Sequence, residues 1–486
     1  MSTAHLILAA LLLPLIGAFC ILLARRHPNL REGVTLTTAV VLFACVAQLL
    51  APVLAGERPA FTLLEPLPGL PIHFSVEPLG MLFALIASGL WIVNSIYSIG
   101  YMRGNDEQNQ TRFYICFALA IAGALAIAFA GNLLTLFLFY EVLTLITYPL
   151  VTHAGTEKAK AGGRVYLAIL MGTSVLFLLP AVIYTWYVSG TTDFRPGGIL
   201  PADLSPQAIV VLLMLFMFGV GKAALMPFHR WLPAAMVAPT PVSALLHAVA
   251  VVKAGVFSVV KIIVYVFGLE HLAGATHWLV AIAGFTIVAA SVVALNADNL
   301  KRRLAYSTVS QLSYVILAAA ILAPLSVVGA VLHIAAHAFG KITLFFAAGA
   351  IYTAAHKTEV SQLDGIGRRM PWTMAAFGIG ALSMIGLPPA AGFVSKWYLV
   401  SGAMAQAQWF ALAVVLASTL LNAGYFLPIV YRAFFRPLSA EAAAHPHGEA
   451  PLPIVIALTL TAAGTVALFF FPDVPLALAQ QMVAAP

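Results

Sequence analysis

The chain has 486 residues, of which 62% are hydrophobic and only 8% are charged, and its mean hydropathy is +1.00. An ordinary soluble domain carries about 25% charged residues, so this composition excludes a set of soluble domains. The net charge of +7 comes mainly from basic loops, and it indicates contact with anionic lipid headgroups rather than with nucleic acid.

Hydrophobic segments long enough to cross a bilayer follow one another along almost the whole chain. A membrane-spanning segment needs roughly 20 mostly apolar residues and must be helical, because lipid cannot satisfy the polar groups of the backbone. The sequence therefore predicts an all-α integral membrane protein with about fourteen transmembrane helices. The predicted helices run over residues 4–24, 33–54, 75–99, 112–130, 132–153, 163–189, 208–225, 241–268, 277–297, 303–323, 326–356, 371–404, 408–432 and 452–472.

Basic residues gather in the loops on one side of this predicted topology. The loops of the opposite side contain only Arg58 and Arg195. The basic loop residues of the first side are Arg25, Arg26, Arg31, Arg103, Arg112, Lys158, Lys160, Arg164, Arg230, Lys301, Arg302, Arg303, Lys357, Arg368, Arg369, Arg432 and Arg436. The positive-inside rule makes this side cytoplasmic, so both termini are predicted on the non-cytoplasmic side.

Ionisable residues also fall inside the predicted helices. Such a side chain at mid-bilayer costs about 3 kcal/mol or more unless it is paired or hydrated, so each one is a candidate for function. Of the 17 Asp and Glu residues, only Glu141 lies well inside a hydrophobic helix, where Thr144 and Tyr148 share its face and can hydrogen-bond or hydrate it. The alternative interpretation gives Glu141 a structural role, as a helix cap or as one half of an ion pair.

Glycine and proline residues interrupt two of the helices that carry lysines. They surround Lys222 in FGVGKAALMPFHRWLP and precede Lys396 in SMIGLPPAAGFVSKWYL. These sequences predict broken helices, which free backbone carbonyls beside the ammonium groups. Two interrupted helices, one in each half of the chain, indicate inverted repeats with an ion site at mid-membrane. The alternative for Lys396 is an interfacial anchor formed with Trp397.

The helix predicted over 241–268 carries two further lysines. Lys261 follows Lys253 by eight residues and lies on roughly the same helix face. This spacing predicts that one of the two lysines is a proton relay and the other its outlet. His247 lies about 120° away from Lys253 around the helix, so the two need not touch. A satisfied polar residue in helix packing is an equally good interpretation of this group.

Helix 326–356 places His333, His337 and Lys341 at i, i+4 and i+8 along one face. This stripe could pass a proton over about 12 Å, at about 1.5 Å per residue. Histidine suits that task because its ordinary pKa lies at about 6.5. The rival interpretation is a metal site, but two histidines without a nearby carboxylate or thiolate argue against it.

Cofactor motifs are missing from the sequence. The three cysteines lie in apolar segments without the paired spacing of a zinc, iron–sulfur or redox site. No glycine-rich phosphate loop opens a helix. We therefore expect no cofactor in this chain and no bond chemistry of its own, and its energy source is expected to be an ion gradient or a partner subunit.

Five motifs together resemble a known family. They are FYEVLTLITYPLV, PFHRWLPAAMVAPTPVSALLHAVAVVKAGVF, KRRLAYSTVSQLSYV, HIAAHAFGKITLFF and GLPPAAGFVSKWYL, in that order. The chain resembles, over nearly its whole length, the antiporter-like subunits of respiratory complex I, Mrp-type cation/proton antiporters and membrane-bound hydrogenases. It is most similar to the smaller, D-type subunit of Mrp antiporters, because it ends without the extra C-terminal helices of the larger subunits.

This resemblance implies a division of the fourteen-helix fold. Helices four to eight and nine to thirteen would form inverted five-helix repeats, each with a broken helix. The implied units are residues 1–111 with helices one to three, 112–268 and 277–435 with the two repeats, and 452–486 with helix fourteen.

The resemblance also implies roles for the buried residues. Glu141 and Lys222 would form an ion pair in a first half-channel, and Lys253 would be the central relay. The second half-channel would contain Lys396, reached through His337 and Lys341. Gln311 lies where some relatives have histidine, so a titrating group there is in doubt, although Gln311 can still order water.

The function implied is proton translocation in a multisubunit cation/proton antiporter of a bacterial inner membrane. Partners would be other membrane subunits, including further antiporter-like subunits, with Glu141 near a neighbour's terminal lysine. The transported ions would be protons alone, or protons together with sodium or potassium. One alternative is the proton-pumping subunit of a redox-driven complex of the complex I or hydrogenase type. Another is a secondary solute transporter, which would need a pocket of substrate size.

Overall fold

The computed structural model describes residues 3–438 and 448–484, and most of them are helical. Numbered along these residues, the helices are α1 (Thr3–Leu23), α2 (Pro28–Ala47), α3 (Leu50–Leu54), α4 (Pro78–Gly104), α5 (Gln110–Ala128), α6 (Leu133–Val151), α7 (Glu157–Thr173), α8 (Leu179–Ser189), α9 (Pro206–Gly219), α10 (Trp231–Ala234), α11 (Thr240–Ala244), α12 (Val251–Ile262), α13 (His277–Asn296), α14 (Leu300–Ala320), α15 (Pro324–Ala355), α16 (Pro371–Ile385), α17 (Ala391–Ala405), α18 (Trp409–Phe435), α19 (Leu452–Phe470) and α20 (Asp473–Val483). The strands β1 (Ala60–Leu67) and β2 (Leu70–Ser75) pair antiparallel as a hairpin.

The prediction of a helical membrane protein is confirmed. Within the described residues, 11 helical segments are long and apolar enough to cross a membrane. The prediction of about fourteen crossings counts three more segments, namely α14 and the two broken helices that begin with α9 and α16. That count and the inverted repeats remain predictions. Residues 1–2 and 485–486, at the outer ends of the first and last predicted units, lie outside the described residues.

Both predicted helix breaks are present. Helix α9 ends at Gly219, and a single turn over Gly221–Ala223 leads into irregular chain before α10. Helix α16 ends at Ile385, where Gly386 adopts a φ of 89°, a left-handed conformation that favours glycine. A Cβ atom at Gly386 would lie 2.5 Å from Cδ of Lys396, so only glycine lets this lysine pass close to the break.

Two elements were not predicted from the sequence. The hairpin β1–β2 occupies the gap between the second and third predicted helices, and its turn contains Gly69 with a φ of 76°. Alternating residues on both sides of a Pro-Gly turn are typical of a hairpin, but its strands are too short to register as membrane segments. Helix α20 follows the fourteenth predicted helix and packs its apolar side, including Leu478 and Met482, against the protein.

The centre of the fold is formed by two segments that together carry three buried lysines and three buried histidines. The most apolar window of Thr240–Phe267 is 100% buried, and that of Pro324–Ala355 is 94% buried. Thr240–Phe267 contains α11 and α12, joined by a π-helical turn at Leu245–Val249. A helix surrounded on all sides by other helices cannot turn its polar groups toward water, so these groups must find partners within the protein.

Close helix packing fixes the position of Lys222. A Cβ atom at Gly255 of α12 would lie 2.4 Å from the backbone nitrogen of Ala223 and from the carbonyl carbon of Lys222. We expect Gly255→Ala to force these segments apart and to reduce the free energy of unfolding by about 1–3 kcal/mol, as overpacked cores do. The measurement is the heat-unfolding midpoint of the purified protein in detergent.

The control is Gly172→Ala in α7, where a Cβ atom would meet nothing within 4 Å. This change should leave the midpoint unchanged or raise it slightly, because alanine favours helices over glycine. A Gly255→Ala protein that unfolds at the temperature of the unmodified protein would contradict the close packing.

Candidate functional site

The buried lysines that the sequence singled out all lie in the interior. Lys222, Lys253, Lys261 and Lys341 have no exposed surface, and Lys396 is 6% exposed. His247, His333, His337 and Gln311 are buried with them. The residues come from separate parts of the chain, on α6, the first helix break, α12, α14, α15 and α17, so only the packed fold brings them together.

Tyr140 and Thr144 of α6 hold the ammonium group of Lys222. Its Nζ donates to the carbonyl of Tyr140 at 2.8 Å and to Oγ1 of Thr144 at 2.5 Å. The same Nζ lies 3.2 Å from the centre of the Tyr140 ring. The hydroxyl of Tyr140 also accepts a hydrogen bond from the backbone nitrogen of Lys222, at 2.9 Å. The helix break therefore leaves the backbone N–H of Lys222 without a partner in its own helix, and the hydroxyl of Tyr140 accepts its hydrogen bond.

Glu141 makes no direct contact with Lys222, in contrast to the ion pair that the family resemblance implies. Both carboxylate oxygens of Glu141 are buried and have no hydrogen-bond partner in the described part of the chain. Neither Thr144 nor Tyr148 hydrogen-bonds Glu141. The hydroxyl of Thr144 accepts from Lys222 and donates to the carbonyl of Tyr140. Glu141 thus remains available to a group from outside this contact network.

The central residues form direct contacts between α12, α14 and α15. Nζ of Lys253 lies 2.5 Å from Nδ1 of His337, which is hydrogen-bonding distance. Lys341 donates to Oγ of Ser307 at 2.8 Å, and the hydroxyl of Tyr425 donates to the same oxygen at 3.0 Å. Neither Ser307 nor Tyr425 stands out in the sequence, because neither residue is ionised near neutral pH.

His247 is engaged separately from Lys253. Its Nδ1 lies 3.2 Å from Oγ1 of Thr308 on α14. Its Nε2 is buried without a partner among the described residues.

A continuous hydrogen-bonded path connects α15 with the second helix break. His333 is held between Ser395 Oγ, 2.9 Å from its Nδ1, and Gln311 Oε1, 3.0 Å from its Nε2. Gln311 in turn donates to the carbonyl of Met384 at 3.3 Å. Lys396 donates to that carbonyl at 3.2 Å and to the carbonyl of Ile385 at 2.8 Å. The break after Ile385 therefore supplies the carbonyls that receive the Lys396 ammonium.

Lys261 contacts the carboxylate of Glu77, which lies at the start of a helix. Its Nζ forms an ion pair with Glu77 Oε1 at 2.9 Å and donates to the carbonyl of Ala130 at 2.7 Å. The hydroxyl of Tyr265 donates to the second oxygen of Glu77 at 3.0 Å. Glu77 also caps α4 by accepting from the backbone of Leu79 and Gly80. The sequence signal for this partner is an acidic residue directly before Pro78, the first residue of a helix.

Free hydrogen-bonding atoms occur beside the lysines. In the described residues, they include Nε2 of His247 and of His337 and both oxygens of Glu141. A proton can move only to an atom with an unused lone pair, so these atoms suit proton transfer better than a fully saturated network does. No cluster of three or more His, Cys, Asp or Glu residues that could hold a metal ion occurs within 3–438 and 448–484.

Comparison with known families gives a match over most of this site. Residues 130–422 match the family described as NADH:quinone oxidoreductase/Mrp antiporter, transmembrane. The N-type subunit of the NADH-quinone oxidoreductase of Desulforudis audaxviator is 33% identical over 460 residues, covering 93% of this chain and 90% of that protein. The D-type subunit of the Na⁺/H⁺ antiporter of Alkalihalophilus pseudofirmus is 28% identical over 471 residues, covering 94% of this chain and 93% of that protein.

Two solved structures share the fold. A chain of the archaeal membrane-bound sulfane sulfur reductase superposes with a TM-score of 0.88 at 24% identity, covering 99% of this chain and 97% of that chain. A chain of the Mrp complex from a Dietzia species superposes with a TM-score of 0.86 at 21% identity, covering 100% and 97%. Both are chains of membrane complexes.

The ion pair of Lys261 and Glu77 should be essential for stability. Lys261→Met would leave the Glu77 carboxylate buried without its cation, and breaking a buried pair in this way costs about 3–5 kcal/mol. In the double variant Glu77→Gln/Lys261→Met no buried charge remains, so we expect a smaller loss. The heat-unfolding midpoint in detergent measures both effects.

Lys160→Met provides the matched control, since Lys160 pairs with Glu157 at the exposed surface and such pairs contribute about 0–1 kcal/mol. A double variant less stable than Lys261→Met would show that the pair does not balance charge as described.

Proposed function

The chain belongs to the NADH:quinone oxidoreductase/Mrp antiporter transmembrane family, and from this membership we propose that it translocates protons as an antiporter-like subunit of a multisubunit membrane complex. The observation that carries the proposal is the set of buried lysines and histidines, which includes one lysine at each helix break. Buried ionisable groups are costly in a membrane, and they mark ion paths in proteins that keep them.

In the proposed relay, protons pass from Lys222 to Lys253 and then through the histidines of α15 to Lys396. The contact between Lys253 and His337 supports direct transfer at the centre. The rings of His337 and His333 are 6.1 Å apart between centroids, a gap that one water molecule can bridge. Gln311 and the Met384 carbonyl link His333 to the Lys396 site by hydrogen bonds. Neither group gives up a proton near neutral pH, so a water molecule would have to complete the transfer there. Lys341 is assigned to the centre of the relay together with Lys253. Lys253 contacts His337, and Lys341 lies one helical turn after His337 on α15.

Glu141 is proposed to control the charge of Lys222 without touching it. A negative charge nearby stabilises an ammonium group, and neutralising or moving that charge makes the ammonium easier to deprotonate. Glu141 lies on a helix whose outer side is exposed, with Leu145 54% exposed and Val142 38% exposed. This exposed apolar face fits a neighbouring membrane subunit that packs beside the helix, and a charge on that subunit would act on the buried carboxylate of Glu141 through space.

The finer assignments extend the same proposal. The two repeats are assigned to residues 112–268 and 277–435, with residues 1–111 before them and the last membrane helix within 452–486. The basic loops are assigned to the cytoplasmic side of a bacterial inner membrane, with both termini opposite. Lys261 is assigned a mainly structural role, with the outlet function as the alternative, because its ion pair with Glu77 is saturated by hydrogen bonds.

The Glu141→Gln variant tests the relay. Glutamine keeps the shape of the side chain but removes its charge, so Lys222 should lose its electrostatic control and proton flux should fall at least about tenfold. The measurement is proton flux in vesicles that contain the whole native complex. Glu157→Gln is the control, because the Glu157 side chain is 81% exposed and pairs only with Lys160 at the surface.

Flux that persists in an intact Glu141→Gln complex would contradict the proposed role of Glu141 and place the transport path elsewhere. If Glu157→Gln also abolished flux, the loss would reflect a general disturbance of the complex.

For the parent complex we propose a cation/proton antiporter of the Mrp type. The match to the D-type antiporter protein covers nearly the whole of both chains and supports this assignment. The second candidate is a redox-driven proton pump, supported by the 33% identity to the N-type protein of an NADH-quinone oxidoreductase. The comparisons give no support to the third hypothesis, a solute transporter.

The two parent complexes differ in what drives proton movement. An antiporter in vesicles should release or take up protons when sodium or potassium is added, without any electron donor. A redox-driven pump should require an electron donor and acceptor and should work equally well without either cation. Proton flux recorded under both conditions therefore separates the two candidates, and cation-independent flux that requires an electron donor would overturn the antiporter assignment.

A further inference from the structure

A large cavity opens at the basic side of the protein, away from the lysine relay. Its volume is about 820 Å³, within the usual range of ligand pockets. Its walls come from the loop before α7, the segment between α10 and α11, the start of α14 and the end of α15. The wall residues therefore belong to the loops that carry most of the basic residues of the chain.

The charge of the cavity wall is strongly positive. The only acidic residue in the described lining is Glu107, against five basic ones: Lys158, Arg230, Lys301, Arg302 and Lys357. Lys158, Arg230 and Arg302 form no ion pair with any residue of 3–438 or 448–484, and the three are exposed. Lys301 lies deeper and donates to the carbonyl of Ala238 at 2.6 Å.

Glu107 can offset only one of these five positive charges. Burial raises the pKa of its carboxyl, an effect that the nearby charge of Lys301 partly offsets. The remaining positive potential repels cations and protons, so the cavity is poorly suited as a route by which they reach the relay. It attracts anions instead.

The residues that line the cavity favour a phosphate group. Arginine guanidinium groups bind phosphate oxygens through two parallel hydrogen bonds, and Arg230 and Arg302 both line the opening. The capping residues of α7 and α14, Thr156 and Asn299, also lie in the wall, so two long helices begin beside the cavity. The N-terminus of a helix favours a nearby anion. Tyr101, Tyr306 and Tyr352 lie in the wall as well, and tyrosines at the ends of membrane helices are typical of the headgroup level.

We propose that this cavity binds the phosphate group of an anionic ligand, supplied either by the headgroup of an anionic phospholipid or by soluble phosphate. Basic pockets between membrane helices on the cytoplasmic side bind anionic headgroups in this manner. The site is separate from the relay, so the proposal stands or falls independently of the proposed function.

The test uses the complete complex, stripped of lipid in neutral detergent and titrated with short-chain phosphatidylglycerol, phosphatidylcholine or inorganic phosphate. The readout is the heat-unfolding midpoint as a function of ligand concentration. Phosphatidylglycerol should raise the midpoint and phosphatidylcholine should not, because only the former has a net negative headgroup. A matching rise with inorganic phosphate would identify soluble phosphate as the source, and a rise with phosphatidylglycerol alone would identify the lipid.

The variant Arg230→Gln/Arg302→Gln should need at least about tenfold more ligand for the same rise, since two charge-assisted contacts are lost. Arg25→Gln/Arg26→Gln removes the same charge from the same predicted side, at exposed positions outside the cavity, and should need no more ligand than the unmodified protein. Lys158→Gln, at an exposed position in the first turn of α7, offers a second cavity variant should the double variant fail to fold. Equal ligand requirements in cavity and control variants, or an equal response to phosphatidylcholine, would overturn the proposal.

Discussion

The arrangement of the interior depends on the cost of burying an ammonium group among membrane helices. An uncompensated charge there costs several kcal/mol, so each buried lysine needs a partner that the helices must provide. Lys396 receives carbonyls that the break after Ile385 releases, and Lys222 receives the carbonyl of Tyr140 and the hydroxyl of Thr144. The broken helices thus do more than interrupt the backbone, since they place a lysine where hydrogen-bond acceptors replace water.

Most of the helices and the buried lysines could be predicted from the sequence because their signals are local. A hydrophobic window marks each long helix, and a run of Gly and Pro marks each break within a few residues of its lysine. The partners of these lysines could not be predicted in the same way. Tyr140 lies 82 residues before Lys222, and Glu77 lies 184 residues before Lys261. Hydropathy contains no information about such long-range contacts, and the short hairpin β1–β2 falls below the length that hydropathy detects.

The two buried carboxylates that lie near the lysines, Glu77 and Glu141, differ in how firmly their charges are held. Glu77 accepts hydrogen bonds from Lys261, Tyr265 and two backbone nitrogens, so its charge is held in place. Glu141 has no such partners among the described residues. The sequence ranked Glu141 as the only acidic residue well inside a helix, which was correct about its position, whereas the importance of Glu77 became visible only through Lys261. A fixed charge stabilises the fold, and a free charge can respond to its surroundings.

The balance of charge in the interior also bears on how protons could move. The five buried lysines have only two buried carboxylates near them in the described part of the chain, Glu77 and Glu141, and Glu77 is committed to Lys261. If every lysine were protonated, several positive charges would remain uncompensated in a medium that screens them poorly, at a cost of several kcal/mol each. Holding Lys222, Lys253, Lys341 and Lys396 all charged at once would therefore be costly. In the proposed relay a neutral lysine accepts a proton, and each arrival makes its protonated neighbours less stable, so a proton that enters at one end would favour release at the other.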